Sequence, residues 1–203
     1  MIILPASQKK NIIIFQNNMT VPQFINNYLP YAIAAGKRYG INPIACLAQA
    51  AVETGWGEKV KGNNFFGIKA NASWTGKVQE YLTTEEDSYG NRTQQVLKFR
   101  AYDSIKESFM DYGKLISSLS RYSQALLYPA YNQTSEYLQA IVSGGYATGS
   151  GYLNLTTSVV SSIKKYLSEA TYMELQKKNF NSTNLLLFGA IAMIAMLIIK
   201  DNL

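Results

Sequence analysis

The sequence predicts a mainly helical domain of the α+β class, with a small β-rich lobe set into it and a hydrophobic helix near its C-terminal end. Three observations lead there. Five stretches repeat apolar residues at helical spacing, most behind a recognisable cap or turn. Residues 62–102 abandon that spacing for glycines, asparagines, threonines and aromatics, and then alternate along Val96, Leu97, Lys98, Phe99, Arg100 and Ala101. Leu185 to Ile199 runs fifteen residues without a charge. The length of 203 residues, 47% of them hydrophobic and 16% charged, allows one ordinary domain with a sizeable core and excludes global disorder.

The first helix opens at Thr20, which has capping-box spacing to Gln23 with Pro22 in the first turn, and runs towards Tyr39. Pro30 should interrupt it, because an interior proline removes a backbone donor. Asn42-Pro43 caps a second helix with a buried stripe of Ile44, Leu47, Ala48, Ala51 and Val52, stopping at Gly55 or Gly57. The β-rich lobe follows, with a turn near Tyr89-Gly90-Asn91. Helical spacing resumes at Ser104, boxed with Glu107, along Ile105, Phe109, Tyr112, Ile116 and Leu119. Two more helices span about 134–142 and 153–168, separated by a Gly144-Gly145-Tyr146 turn. The chain thus divides into an N-terminal extension (1–21), the helical domain (22–168), a polar linker (169–184), an apolar helix (185–199) and a short tail (200–203).

Charge and composition narrow the chemistry. The net charge of +6 divides into +2 over residues 1–30, +4 over 31–166 and zero over 167–203. So diffuse a basic surface suits an anionic polymer modestly and argues against nucleic acid. There is no histidine, which removes Ser-His-Asp and Cys-His triads and HExxH zinc sites. The single cysteine, Cys46, sits in an apolar run and reads as core. No metal constellation or cofactor motif is expected: the Glu85, Glu86, Asp87 cluster reads as a charged turn. Any catalysis must come from carboxylates, tyrosines or amides.

Glu53 is the strongest such candidate. It closes an alanine-rich helix just before Thr54-Gly55-Trp56-Gly57. There it meets the negative end of the helix dipole and an apolar surround, both of which disfavour its ionised form and suit a general acid.

The ordered series AQAAVETGWG at 48–57, NNFFGIKA at 63–70, Trp74-Thr75-Gly76, TTE at 83–85, FRAYDS at 99–104, ESFMDY at 107–112 and GGYATGSGY at 144–152 resembles the endo-β-N-acetylglucosaminidase domain of glycoside hydrolase family 73, found in flagellar-rod and autolysin-type peptidoglycan hydrolases. The resemblance covers about residues 22–168. It implies a lysozyme-like helical domain whose β-lobe walls a glycan groove, cleaving peptidoglycan strands after N-acetylglucosamine. It places the general acid at Glu53, a β-lobe carboxylate at Glu85 with Glu80, Glu86 and Asp87 as neighbouring alternatives, and a catalytic-site tyrosine at Tyr146. Relatives often carry an acid soon after GYAT, where this chain has Gly149-Ser150. Trp56, Trp74, Phe65, Phe66 and Tyr152 are candidate sugar-stacking surfaces, and Asn63 and Asn64 candidate donors to N-acetyl or hydroxyl groups.

The second carboxylate could serve as nucleophile, as base for an attacking water, or as an aid to the substrate's own N-acetyl oxygen, and the residues leave all three routes open. A lytic transglycosylase, and a non-catalytic wall-binding or virion protein, are the rival readings. As a helix the run 185–199 would be about 22 Å long against roughly 30 Å of hydrocarbon, short for a span unless Lys200 snorkels or the bilayer thins. No signal peptide is recognisable, since Pro5 stops the first apolar run. The expectation is a membrane-anchored enzyme of a phage virion or lysis system, with virion proteins as partners, or else of a bacterial envelope.

Overall fold

The computed structural model describes residues 19–86, 92–147, 151–167 and 171. Five helices and one antiparallel hairpin follow each other as α1 (Val21–Tyr39), α2 (Pro43–Thr54), β1 (Val78–Glu86), β2 (Arg92–Arg100), α3 (Ile105–Ser118), α4 (Thr134–Ser143) and α5 (Tyr152–Tyr166). Three short 3-10 turns between residues 120 and 133 join α3 to α4, a region in which the sequence showed no helical spacing. The described residues are therefore mainly helical with a two-stranded sheet, as expected.

Helix α2 is the centre. Every residue from Pro43 to Ala51 is buried, including Ala45, Cys46, Gln49 and Ala50, which fall outside the expected stripe. Small side chains explain this: alanines on all sides let α1, α4 and α5 approach the helix together. The Asn42 carboxamide holds both its ends in register. Its oxygen caps the Ile44 and Ala45 N–H groups at 3.1 and 3.0 Å, while its nitrogen donates to the Tyr128 and Ala130 carbonyls ahead of α4.

Helix α1 begins at the expected capping box and runs unbroken through Pro30. The proline ring is exposed, and Leu29 and Ala32 on either side are buried, so packing of the apolar face carries the helix across the lost hydrogen bond. Between α1 and α3 lies an aromatic layer in which Phe65 contacts Tyr28 and Phe109, and Phe66 stacks on Tyr112 with centroids 4.1 Å apart. The segment 153–168 was expected to be helical, and α5 occupies 152–166.

The hairpin pairs Val78 with Arg100 through to Glu86 with Arg92. The expected turn at 89–91 lies outside the described residues, as do the N-terminal extension up to residue 18, most of the linker and the apolar run 185–199. Among the described residues no helix is long and apolar enough to cross a membrane.

A small set of polar contacts fastens this lobe to the helices. The side chain of Asn64, 8% exposed, donates to the Ile68 and Arg100 carbonyls and accepts from the Phe66 and Ile68 N–H groups. Arg100 in turn reaches Asp111 on α3 at 2.7 Å, where the Tyr102 hydroxyl also donates. Each unpaired buried group costs about 1–3 kcal/mol. Asn64→Ala should therefore lower unfolding stability by at least about 2 kcal/mol in urea melts, because the Arg100 carbonyl and the Phe66 and Ile68 N–H groups lose this partner together, while the Ile68 carbonyl keeps the Arg100 N–H.

Candidate active site

Glu53 stands in the last turn of α2, where the buried helix reaches the surface. The helix stops there because three consecutive residues adopt left-handed backbone, Gly55 at φ 58°, Trp56 at 60° and Gly57 at 87°. Glycine takes that conformation freely, and the tryptophan between pays for its own strain through its ring, which packs edge-to-face on Phe24 at 5.4 Å. The exposed helix end is satisfied locally. The Thr54 hydroxyl donates to Ala50, and the Trp56 and Lys59 N–H groups bond the Ala51 and Thr54 carbonyls.

The carboxylate is open to solvent on one side and crowded by protein on the others. Desolvation by that crowding raises its pKa above the usual glutamate range, and a hydrogen bond from Tyr152 partly opposes the rise. The Tyr152 hydroxyl donates to Glu53 Oε1 at 3.0 Å and accepts from Gln49 Nε2 at 3.2 Å. A Cβ placed on Gly67 would lie 3.6 Å from Oε2, so the second oxygen faces bare backbone of the segment that leads into the lobe.

Tyr146 completes the cluster. Its ring lies 6.0 Å from that of Tyr152 and its hydroxyl reaches the Phe66 carbonyl at 3.4 Å. Burial, and then the neighbouring Tyr152 and Glu53, push its pKa well above the ordinary tyrosine value, so it remains a neutral donor. Glu53, Tyr146 and Tyr152, 99 residues apart at the extremes, are thus gathered at one place.

Other expected site residues are placed differently. Phe65 is 1% exposed and belongs to the aromatic core, as does Phe66, so neither offers a ring to a sugar. Asn64 spends its carboxamide on the four backbone contacts described above. Asn63, half-buried in left-handed backbone, donates to the Tyr102 carbonyl. Trp56 is half-buried against Phe24, and Tyr152 holds Glu53 through its hydroxyl. Trp74 lies over the Arg100 guanidinium at 4.5 Å and bonds the Lys77 carbonyl. It lines a cleft of about 450 Å³ with Tyr39, Tyr102, Met110 and Lys114, to which Glu53, Tyr146 and Tyr152 contribute nothing.

On the lobe, Glu80 faces Lys98 at 3.5 Å and is exposed. Glu85 holds the β1 position opposite Thr93, and Glu86 the one opposite Arg92, with their side chains, like Asp87 and Gly149-Ser150, outside the described residues. Among the described residues no group of three acids, cysteines or histidines could hold a metal ion. Sequence reasoning missed Gln49; the available signal was a lone amide in an alanine-rich helix, one turn before the acid.

Comparison with known proteins follows the same segment. The model of the mannosyl-glycoprotein endo-beta-N-acetylglucosaminidase family, Glucosaminidase, matches residues 29–166. The chain is 35% identical over 149 residues to peptidoglycan hydrolase FlgJ of Vibrio parahaemolyticus, a match covering 70% of this chain and 47% of that protein. The chain thus spans about half the length of that curated relative. Among solved structures it is similar to a mutant of the peptidoglycan hydrolase from Sphingomonas sp. A1, at TM-score 0.63 and 33% identity over 71% of this chain and 97% of that one. It is also similar to the C-terminally truncated glycoside hydrolase domain of Salmonella typhimurium FlgJ, at TM-score 0.59 and 31% identity over 73% and 100% of the two chains. The matched segment carries Glu53, both strands, Tyr146 and Tyr152, and the chain belongs to the Glucosaminidase family, glycoside hydrolase family 73.

Proposed function

We propose that this protein is a peptidoglycan hydrolase that cleaves the β-1,4 bond after N-acetylglucosamine, with Glu53 as the proton donor. The observation that carries the reading is a carboxyl group at a helix end, open on one side, whose burial favours its protonated form. The family and its peptidoglycan-hydrolase relatives supply the substrate class.

Cleavage needs a proton on the departing glycosidic oxygen as the bond to the anomeric carbon breaks, and stabilisation of the positive charge left on the sugar. Glu53 serves the first need because its neutral form persists nearer neutrality than that of a solvated glutamate. For the second, Tyr146 is a neutral hydroxyl beside the acid, suited to orienting an N-acetyl group that attacks through its own carbonyl oxygen. Glu85 is the carboxylate assigned to the lobe side, as base or charge stabiliser. The apolar run 185–199 supports attachment to a lipid membrane. A phage particle or lysis system is the setting we assign, since a wall-cleaving domain followed by such a segment suits delivery at a membrane-bounded wall. The presence of the chain in purified lipid-containing particles tests that assignment.

Four outcomes follow. Glu53→Gln should retain the fold and lose about 10²–10⁴-fold in turnover of purified sacculi, the usual contribution of a general acid. Glu53 is raised in the folded state, so the unfolded chain gives up this proton at lower pH and wild-type stability falls as pH climbs from the free-glutamate range through the folded pKa. The Gln variant should accordingly melt higher than wild type at neutral pH, and the gap should close in acid. Mass spectrometry of the digest should find reducing N-acetylglucosamine ends; anhydromuramyl ends would identify a lytic transglycosylase instead. In flotation with anionic phospholipid vesicles, the full chain should rise with the lipid and a chain ending at residue 184 should not.

A further inference from the structure

Four side chains from three helices form one hydrogen-bonded line ending on Glu53. The Tyr112 hydroxyl of α3 donates to Gln49 Oε1 of α2, Gln49 Nε2 donates to the Tyr152 hydroxyl of α5, and Tyr152 donates to Glu53 Oε1. Gln49 and Tyr112 are wholly buried. A carboxamide among alanines, a cysteine and a leucine is costly unless its polar atoms are matched, and this one is matched on both oxygen and nitrogen.

The line has a direction, and the charge on Glu53 sets it. An ionised carboxylate only accepts, so Tyr152 must point its single proton at Oε1. The oxygen of Tyr152 can then only accept, which requires the NH2 end of Gln49, and the remaining amide oxygen requires the proton of Tyr112. Reversing the line means turning over an amide in a close-packed core and breaking both its bonds. The polarity therefore persists when Glu53 takes up a proton, and Oε1, already engaged as an acceptor, is the wrong oxygen to carry it.

We propose that Gln49 and Tyr152 are positioning residues that hold Oε1 of Glu53 as a permanent acceptor, so that the proton delivered to the leaving oxygen rides on Oε2, beside Gly67. The inference rests on the reading of Glu53 as proton donor. Gly67 fits the role, since it is exposed, adopts φ 59°, and leaves the space before Oε2 to the substrate. Without the line, the carboxyl would be free to rotate and to present its proton inward. The titratable groups that act on Glu53 among the described residues are Tyr152 from α5 and Tyr146 from the turn after α4. Burial keeps both tyrosines neutral across the working range, so neither titrates on the alkaline limb assigned to Glu53.

The test is the pH–rate profile of the full chain on purified sacculi, with Tyr152→Phe, Gln49→Met, the double variant and Glu53→Gln, each checked for fold by circular dichroism and melting. Tyr152→Phe keeps the ring but removes the hydrogen bond that, among the described residues, favours the ionised carboxyl. Its alkaline limb should move up by about 1 pH unit. Its kcat should fall about tenfold with KM little changed, because orientation of the proton matters in the transition state. Gln49→Met should move the limb the same way by less, and should add nothing in the Tyr152→Phe background. A folded Tyr152→Phe enzyme with an unmoved limb overturns the inference, as does additivity of the two variants. If Gln49→Met does not fold, Tyr152→Phe decides alone. A fully active Glu53→Gln enzyme would instead overturn the underlying assignment of the acid, so the two failures are told apart.

Discussion

The structure depends on the burial of α2 from Pro43 to Ala51. A helix covered on every side has to be built from small residues, and Ala45, Ala48, Ala50 and Ala51 allow α1, α4 and α5 to close around it. The same packing makes its end a particular place. The last turn emerges with protein on most sides and water on one, and a carboxyl group set there inherits desolvation without losing access. The site is therefore a consequence of the core and not an addition to its surface.

Two devices turn that position into a defined geometry. The left-handed run at Gly55, Trp56 and Gly57 ends α2 within one residue of the acid, so that no further helical turn covers it. Asn64 then folds the 64–68 segment tightly enough to bring Gly67 to the carboxyl and to tie the base of the hairpin to the helices. The hairpin itself projects, with Leu82 and Val96 exposed, and is held chiefly at its base by Asn64 and the Arg100–Asp111 pair.

Much of this was legible in order of residues. The caps at Thr20, Asn42 and Ser104 act within a few positions of themselves, and the structure bears out all three. Pro30 misled because local backbone preference was outweighed by the buried face around it. The asparagines and phenylalanines of 63–66 misled for a different reason: a polar or aromatic residue near a site looks the same in sequence whether it faces the ligand or supports the loop beneath. Gln49 illustrates the converse, a residue with no motif of its own whose meaning comes from Tyr112, 63 positions away, and Tyr152, 103 away.

What the sequence determined by itself was the class of the fold, the absence of imidazole chemistry, the family, and the candidate acid at the end of an apolar helix. Those follow from composition, local spacing and ordered motifs. The tertiary structure decided which of the candidate residues meet. Tyr152 became a hydrogen-bond partner of Glu53, Asn64 a fastening of the lobe, and Trp74 the wall of a separate cleft. The physical reason is that hydrogen-bond direction and solvent exposure belong to a packed arrangement of distant segments, and neither is carried by any residue alone.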